Sequence, residues 1–374
     1  MAGWSNSKRE TRNPQPETRN KNRAMNNKPY EPACPLPRST KNTIHLAHGG
    51  GGRLMQELIQ DVFVKAFQNP MLAPMHDGAT WSVEKGTLAF TTDSYVVRPL
   101  FFPGGDIGSL AVNGTINDLA MCGAKPLYLS AGFILEEGLS LDVLQRVVNS
   151  MAEAARAAGV PIVTGDTKVV DRGKGDGIFI NTSGVGLVPP DVRVLPTLIQ
   201  PGDAILVSGD LGSHGVAVLS VREGLTFDGH IESDSAPLHH IVADLIESGI
   251  DIHCLRDLTR GGLASVLNEL AVAAKVGMTV EEPAIPVSEP VRGACELLGL
   301  DPLYVANEGR FVAMVPASQV EAALTVMRRH KAAGLAAHIG VVTDRDPFMV
   351  VLQTVVGTQR ILDLLSGEQL PRIC

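Results

Sequence analysis

Aromatic side chains are scarce in this 374-residue chain: Phe, Tyr and Trp together make up 4%. That shortage argues against a stacking platform for single-stranded nucleic acid, which needs an aromatic face for each base. The five cysteines (Cys34, Cys122, Cys254, Cys295, Cys374) show no paired spacing and no CxxC. No disulfide framework is expected, and a reducing, cytoplasmic compartment is. There is no run of eighteen apolar residues, and the N-terminus lacks the apolar stretch of a secretory signal. Neither a membrane span nor export is therefore expected. Positive charge is short and unevenly placed: residues 1–41 carry nine Lys/Arg against three Asp/Glu, the remainder 23 against 37. An acidic body does not suit a nucleic acid partner. If such a body handles phosphate, a divalent cation is expected to accompany it.

What is present reads as a globular protein, with 44% hydrophobic residues and 38 glycines for tight turns. The length predicts two domains. Residues 1–41, rich in Asn, Lys, Arg and Pro, read as a disordered basic extension, with order beginning near Thr43-Ile44. Residues 42–190 form the first expected domain. Strands are predicted over Leu88–Asp93, Leu127–Leu135 and Ile178–Leu187, and an amphipathic helix over Leu141–Ala158, with Ser140 as N-cap and Gly159 closing it. After a Pro-rich linker, residues 200–346 form the second. Strands are predicted over Ala204–Ser208, Phe311–Val315 and Ile339–Val342. Helices are predicted over Leu238–Ile246, Gly262–Ala274, Pro290–Leu298 and Ser318–His330. Residues 347–374 read as a tail, with a strand over Phe348–Val351, an apolar turn over Ile361–Leu365 and an extended end. The fold class is α/β (α+β) in two domains.

Several motifs can carry chemistry. In His48–Arg53, glycines including Gly50 and Gly51 precede a helix over Leu54–Phe67 and would let backbone N–H groups approach phosphate; no Lys-Ser/Thr follows, so it is not a P-loop. Asp77, Asp93, Asp118, Asp166 and Asp257 stand isolated among Gly, Thr and Asn. They read either as ordinary cap and turn residues, Asp257 capping the helix that starts near Gly261, or as hard oxygen ligands for Mg²⁺. Asp118 fits the first reading poorly. It lies inside Ile107–Met121, a helix of small and apolar residues, beside Asn113 and Asn117, and buried polar groups need partners. Those partners are a ligand or another protein segment. Thr164–Lys168 reads as a strand-to-loop junction whose Lys168 can meet phosphate. Glu308, in a Gly turn ahead of a buried strand, reads as a base, a metal ligand or a surface turn. His239, His240, His253 and Cys254 fit no zinc spacing. Cys374, the last residue, is a free thiol on an extended end.

The stretches HLAHGGGGRLMQELI, FTTDSYVVRPLFFPGGDIGSLAVNGTINDLAMCGAKPLYLS, ILEEG, VTGDTKVV, RDLTRGGLASVLNEL, ANEGRF and the terminal PRIC resemble the HypE family of hydrogenase maturation factors, over about residues 43–374. That family is similar to aminoimidazole ribonucleotide synthetase, selenophosphate synthetase and thiamine-monophosphate kinase. The resemblance implies a homodimer with a β-barrel shared between N-terminal domains, a mixed α/β C-terminal domain, ATP in the inter-domain cleft and a mobile tail. It implies that a partner carbamoyltransferase, HypF, loads Cys374. The chain would then dehydrate the S-carboxamide to a thiocyanate with ATP and pass cyanide to iron on a HypC–HypD complex. By the same resemblance, Gly50, Gly51, Asp77, Asp93, Asn117, Asp166, Thr167 and Lys168 would bind nucleotide, and Asp93, Asp118 and Asp257 would bind Mg²⁺. Cys374, Lys168, Glu308 and Asp118 would serve catalysis. The N-terminal extension departs from the family pattern. Two alternatives stand beside this reading: a selenophosphate synthetase-like enzyme, whose glycine loop would need a Cys that His48–Arg53 lacks, and a non-enzymatic carbamoyl carrier.

Overall fold

The computed structural model describes residues 43–45, 57–69, 86–227 and 230–363. The extension 1–41, Gly50, Gly51, Asp77 and Cys374 lie outside the described residues. Thr43 bridges to Ser140, and the buried Ile44 exchanges backbone hydrogen bonds with Leu139 and Gly138. A π-helical turn over Ile59–Val64 follows.

The first sheet comprises β1 (Thr87–Tyr95), β4 (Lys125–Glu136), β5 (Ile162–Val170) and β6 (Ile178–Val188), in the order β1-β6-β4-β5. Between β1 and β4, the short pair β2 (Phe101–Phe102) and β3 (Gly105–Asp106) leads into α1 (Ile107–Met121). Burial alternates along β1, so Ala89, Thr91 and Asp93 face inward while Leu88, Phe90, Thr92 and Ser94 face out. Helix α1 covers the inward face and is buried almost all round, as its lack of a polar stripe requires. Asp106 starts it, accepting from the Gly108 and Ser109 N–H groups at 2.7 and 3.0 Å. Helix α2 (Leu141–Ala158) connects β4 to its parallel neighbour β5 and packs on α1. It starts at Ser140, which accepts from Asp142 N, and ends at Gly159 in the left-handed conformation (φ 69°).

The second sheet has seven strands: β7 (Asp203–Val207), β8 (Cys254–Asp257), β9 (Gly277–Glu281), β10 (Phe311–Pro316), β11 (Ala337–Thr343), β12 (Val350–Gln353) and β13 (Gln359–Ile361). Their order is β13-β12-β9-β11-β7-β10-β8. Five helices accompany it: α3 (Ser213–Arg222), α4 (His239–Glu247), α5 (Gly262–Ala274), α6 (Glu289–Leu298) and α7 (Val320–Met327). Strands β7 and β10 are apolar on both faces because both faces are covered. Ile205, Val207, Val312 and Met314 join the core under α5; Ala204, Leu206, Ala313 and Val315 join that under α4 and α7. The two sheets share cores: Ala120 and Met121 of α1 pack with α4 and α7, and Val216 of α3 and Val291 of α6 pack with the first sheet.

The structure corrects three expectations. Thr164–Lys168 lies in the middle of β5, not at a strand-to-loop junction. Part of the expected tail belongs to the second sheet, where β12 pairs with β9 and β13; Gln359–Ile361 is a strand rather than a turn, and Leu362 beyond it is fully buried. The helix expected over Ser318–His330 is α-helical only over Val320–Met327. Among the described residues no sheet closes into a barrel, and β1 and β5 stand as edges of the first sheet. Among the elements that escaped the sequence reading are β9, the short pair β2 and β3, strand β8, because four residues carry no period, and helix α3, because it begins at Gly212 with no capping side chain.

Candidate active site

Helix α1 runs from the first sheet to β8. Beside it opens a cleft of about 510 Å³, lined by Asp93, Tyr95, Asp118, Asp257, Arg260 and Glu308 among others. Each acid arrives from a different element. Asp93 lies on the inward face of β1, its carboxylate accepting from Ser94 N at 2.7 Å. Asp118 sits in the last turn of α1, where the Thr91 hydroxyl donates to it at 2.9 Å. Asp257 ends β8, opposite Phe311 of β10. It does not cap α5, whose N-terminal residue is Gly261 with no side-chain cap.

Glu308 precedes β10 in a loop organised by Asn307. The Asn307 side chain accepts from Gly212 N at 2.8 Å and donates to the Leu258 carbonyl at 3.0 Å. Backbone bonds from Asn307 N to Leu258 O and from Leu258 N to Arg310 O complete the link. The loops after β8 and before β10 are thus held together, and Asp257 and Glu308 share one rim. Gly114 lets the wall close up: a Cβ there would collide with the Tyr95 hydroxyl.

The electrostatics are those of crowded acids. Burial raises the Asp118 carboxyl above the usual range and Asp93 adds to this, against the Thr91 hydrogen bond. Burial, then Asp118, pushes Asp257 up to about 7, with Arg256 opposing. Arg256 itself pairs with Glu269 at 2.9 Å. Burial also holds the Tyr95 phenol well above its ordinary value. Such a set suits a cation. It is not a closed cage: among the described residues no group of three or more His, Cys, Asp or Glu can hold a metal ion unaided. The expected ligand set Asp93, Asp118 and Asp257 is therefore gathered into one cleft but not into one coordination shell. That donor chemistry fits Mg²⁺, which takes one or two carboxylates and fills its shell with phosphate oxygens and water.

Four residues expected beside these acids are placed elsewhere. Asn117, 1% exposed, has protein partners: it accepts from Leu238 N at 2.8 Å and donates to the carbonyls of Ala236 and Glu308 at 3.1 and 3.3 Å. Thr167 is buried on the inward face of β5. Asp166 and Lys168 pair with each other at 3.2 Å, both about 65% exposed at the side chain. They stand opposite Gly132 and Ile134 on the outward face. Asp93 is on the inward face and β1 is three strand spacings away, roughly 14 Å. The sheet itself separates Lys168 from the acid cleft of its own chain. His239 and His253 are engaged with the Ala158 carbonyl and Asp203.

Residues 75–188 match the model of the AIR synthase related protein, N-terminal domain, and residues 200–353 that of the corresponding C-terminal domain. The chain is 56% identical over 332 residues to the carbamoyl dehydratase HypE of Azotobacter vinelandii, covering 89% of this chain and 97% of that one. The chain belongs to the HypE family of carbamoyl dehydratases. A HypE solved in complex with ATP superposes with a TM-score of 0.85 at 51% identity, covering 88% of this chain and 99% of that one. A HypE–HypF complex gives 0.73 at 48% identity, covering 82% and 99%. Membership of the HypE family sets aside the selenophosphate synthetase-like alternative. Sequence reasoning missed Thr91, Tyr95, Asn307 and Asp234, whose carboxylate accepts from Glu308 N at 3.1 Å. Thr91 had a signal, since it lies two residues before Asp93 and shares its inward face; Asp234, in a stretch without period or motif, had none.

Proposed function

We propose that this protein carries out the ATP-dependent dehydration of an S-carboxamide on Cys374 to an S-thiocyanate, which supplies cyanide ligands for the iron of a [NiFe]-hydrogenase. The observation that carries this is the convergence of Asp93, Asp118, Asp257 and Glu308 on one cleft, in a chain whose relative has been solved with ATP. An amide oxygen is a poor leaving group. Transfer of the γ-phosphoryl group of ATP to that oxygen makes it a good one, and the C–O bond then breaks as both N–H protons leave, giving R–S–C≡N, ADP and phosphate. Asp93, Asp118 and Asp257 would hold Mg²⁺, which supplies positive charge at the phosphate oxygens. Glu308, 7% exposed and on the rim, takes a nitrogen proton.

Lys168 and Asp166 serve the cleft of a second copy in this scheme. They share the outward face of the first sheet with Phe90, which is 73% exposed on the opposite edge strand, and a barrel shared between two first sheets would form on that face. HypF loads Cys374, and a HypC–HypD complex receives the cyano group. The test is the mass of the C-terminal peptide after carbamoylation. With Mg-ATP, the modified Cys374 loses one water; without ATP it does not. A carbamoyl adduct that persists with Mg-ATP present would show a carrier instead of a dehydratase.

A further inference from the structure

We propose that Asn117 and Asp234 act together as positioning residues that clamp Glu308 at the rim of the acid cleft, an inference that rests on the reading of Glu308 as the base. The backbone unit carrying Glu308 is gripped at both ends. Asp234 Oδ1 accepts from Glu308 N at 3.1 Å, and Asp234 Oδ2 from Gly309 N at 3.3 Å. Asn117 Nδ2 donates to the Glu308 carbonyl at 3.3 Å. Gly309 is part of the device, because a Cβ there would collide with the Asp234 carbonyl. Asn117 precedes Asp118 on α1, so one amide sets the spacing between the acid of one sheet's helix and the carboxylate before the other sheet's strand.

The segment that presents Asp234 is itself tied to both sides. Ser233 N donates to Pro103 O at 2.8 Å, and Ser233 Oγ shares a hydrogen bond with His214 Nδ1 at 2.8 Å. Asn113 donates to Ser235 Oγ at 3.2 Å, and Asn117 holds Ala236 O and Leu238 N. The carboxylate of Asp234 is 1% exposed, and burying a carboxylate is costly unless it is paired. Arg310, 3.7 Å away, offsets part of that burial, but its nearer partner is Asp210, at 2.7 Å from Nη2 to Oδ1 and 2.9 Å from Nε to the carbonyl. What Asp234 alone does is hold the two consecutive N–H groups of Glu308 and Gly309. A misplacement of about 1 Å at a reacting group can cost roughly 100-fold in rate.

The experiment follows conversion of the carbamoylated Cys374 in the full chain, recording the maximal single-turnover rate and the half-saturating ATP concentration. Asp234→Asn and Asn117→Ala are each expected to slow the maximal rate roughly 10- to 100-fold. The half-saturating ATP concentration stays within about threefold. Asp234→Asn, which keeps one acceptor, loses less than Asp234→Ala. In a Glu308→Gln background, where residual conversion is slow, neither change slows it further. If both single variants convert at the normal rate while Glu308→Gln converts slowly, the clamp is refuted and the base reading stands. If the half-saturating ATP concentration rises in step with the loss of rate, the residues serve nucleotide binding and the clamp is refuted. If Glu308→Gln converts normally, the base reading fails, and the clamp with it. A variant that does not fold is replaced by the other, because each holds a different end of the same unit.

Discussion

Asp257→Asn should make the protein more stable above neutral pH while weakening its response to Mg-ATP. Asp257 is buried at the end of β8, and burial and Asp118 raise its carboxyl from 3.8 to about 7. In the unfolded chain it ionises near pH 4, so between about 4 and 7 the folded state holds a proton that the unfolded state has lost. Stability from this group is complete at low pH, falls as pH rises through that window, and is lost above about 7. Three units at about 1.4 kcal/mol each give up to roughly 4 kcal/mol. Asparagine keeps the shape and never ionises. With an unfolding entropy of roughly 0.7 kcal/mol/K for a chain of this size, the variant should melt about 5 °C above the parent at pH 8. The two should melt together near pH 4. The assay is thermal unfolding from pH 4 to 8, with and without Mg-ATP. A parent whose Tm is flat across that range, or a variant that melts below it at pH 8, would refute the reasoning. The same buried charge that costs stability at high pH is the one a cation needs, so Mg-ATP should raise the parent's Tm more than the variant's.

Two further outcomes follow from the geometry. Gly114→Ala forces a Cβ against the Tyr95 hydroxyl and should cost roughly 1–3 kcal/mol of stability; a Tm unchanged within error would show that the wall yields freely. On the proposed sharing of each cleft between two copies, Lys168→Ala should slow conversion, yet mixing it with an Asp118→Asn chain should restore part of the activity, because the mixed pair would contain one intact cleft. Failure of the mixture to exceed either parent would place Lys168 outside the partner's cleft.

Much of this protein was legible before folding. Leu141–Ala158 announces a helix because its apolar residues recur on one face, and Ser140 and Gly159 bound it as caps. Leu88–Asp93 alternates because one face of β1 is covered by α1. The acids Asp93, Asp118, Asp257 and Glu308 stood out as polar groups in small or apolar surroundings, and the cleft holds all four. What the linear pattern cannot carry is which side of a sheet meets which helix. In β5 the period of two sends Thr167 inward and Asp166 and Lys168 outward. Only the placement of α1 on the inward face turns that alternation into a separation of Lys168 from Asp118. The partners of Asn117 were undecidable for the same reason: they lie more than a hundred residues along the chain, in Ala236, Leu238 and Glu308. Local residue types decide where a strand or cap forms, because those energies act over a few residues. The pKa of Asp257 and the grip on Glu308 depend on burial and on long-range approach, and these come into being only when the two sheets close around α1.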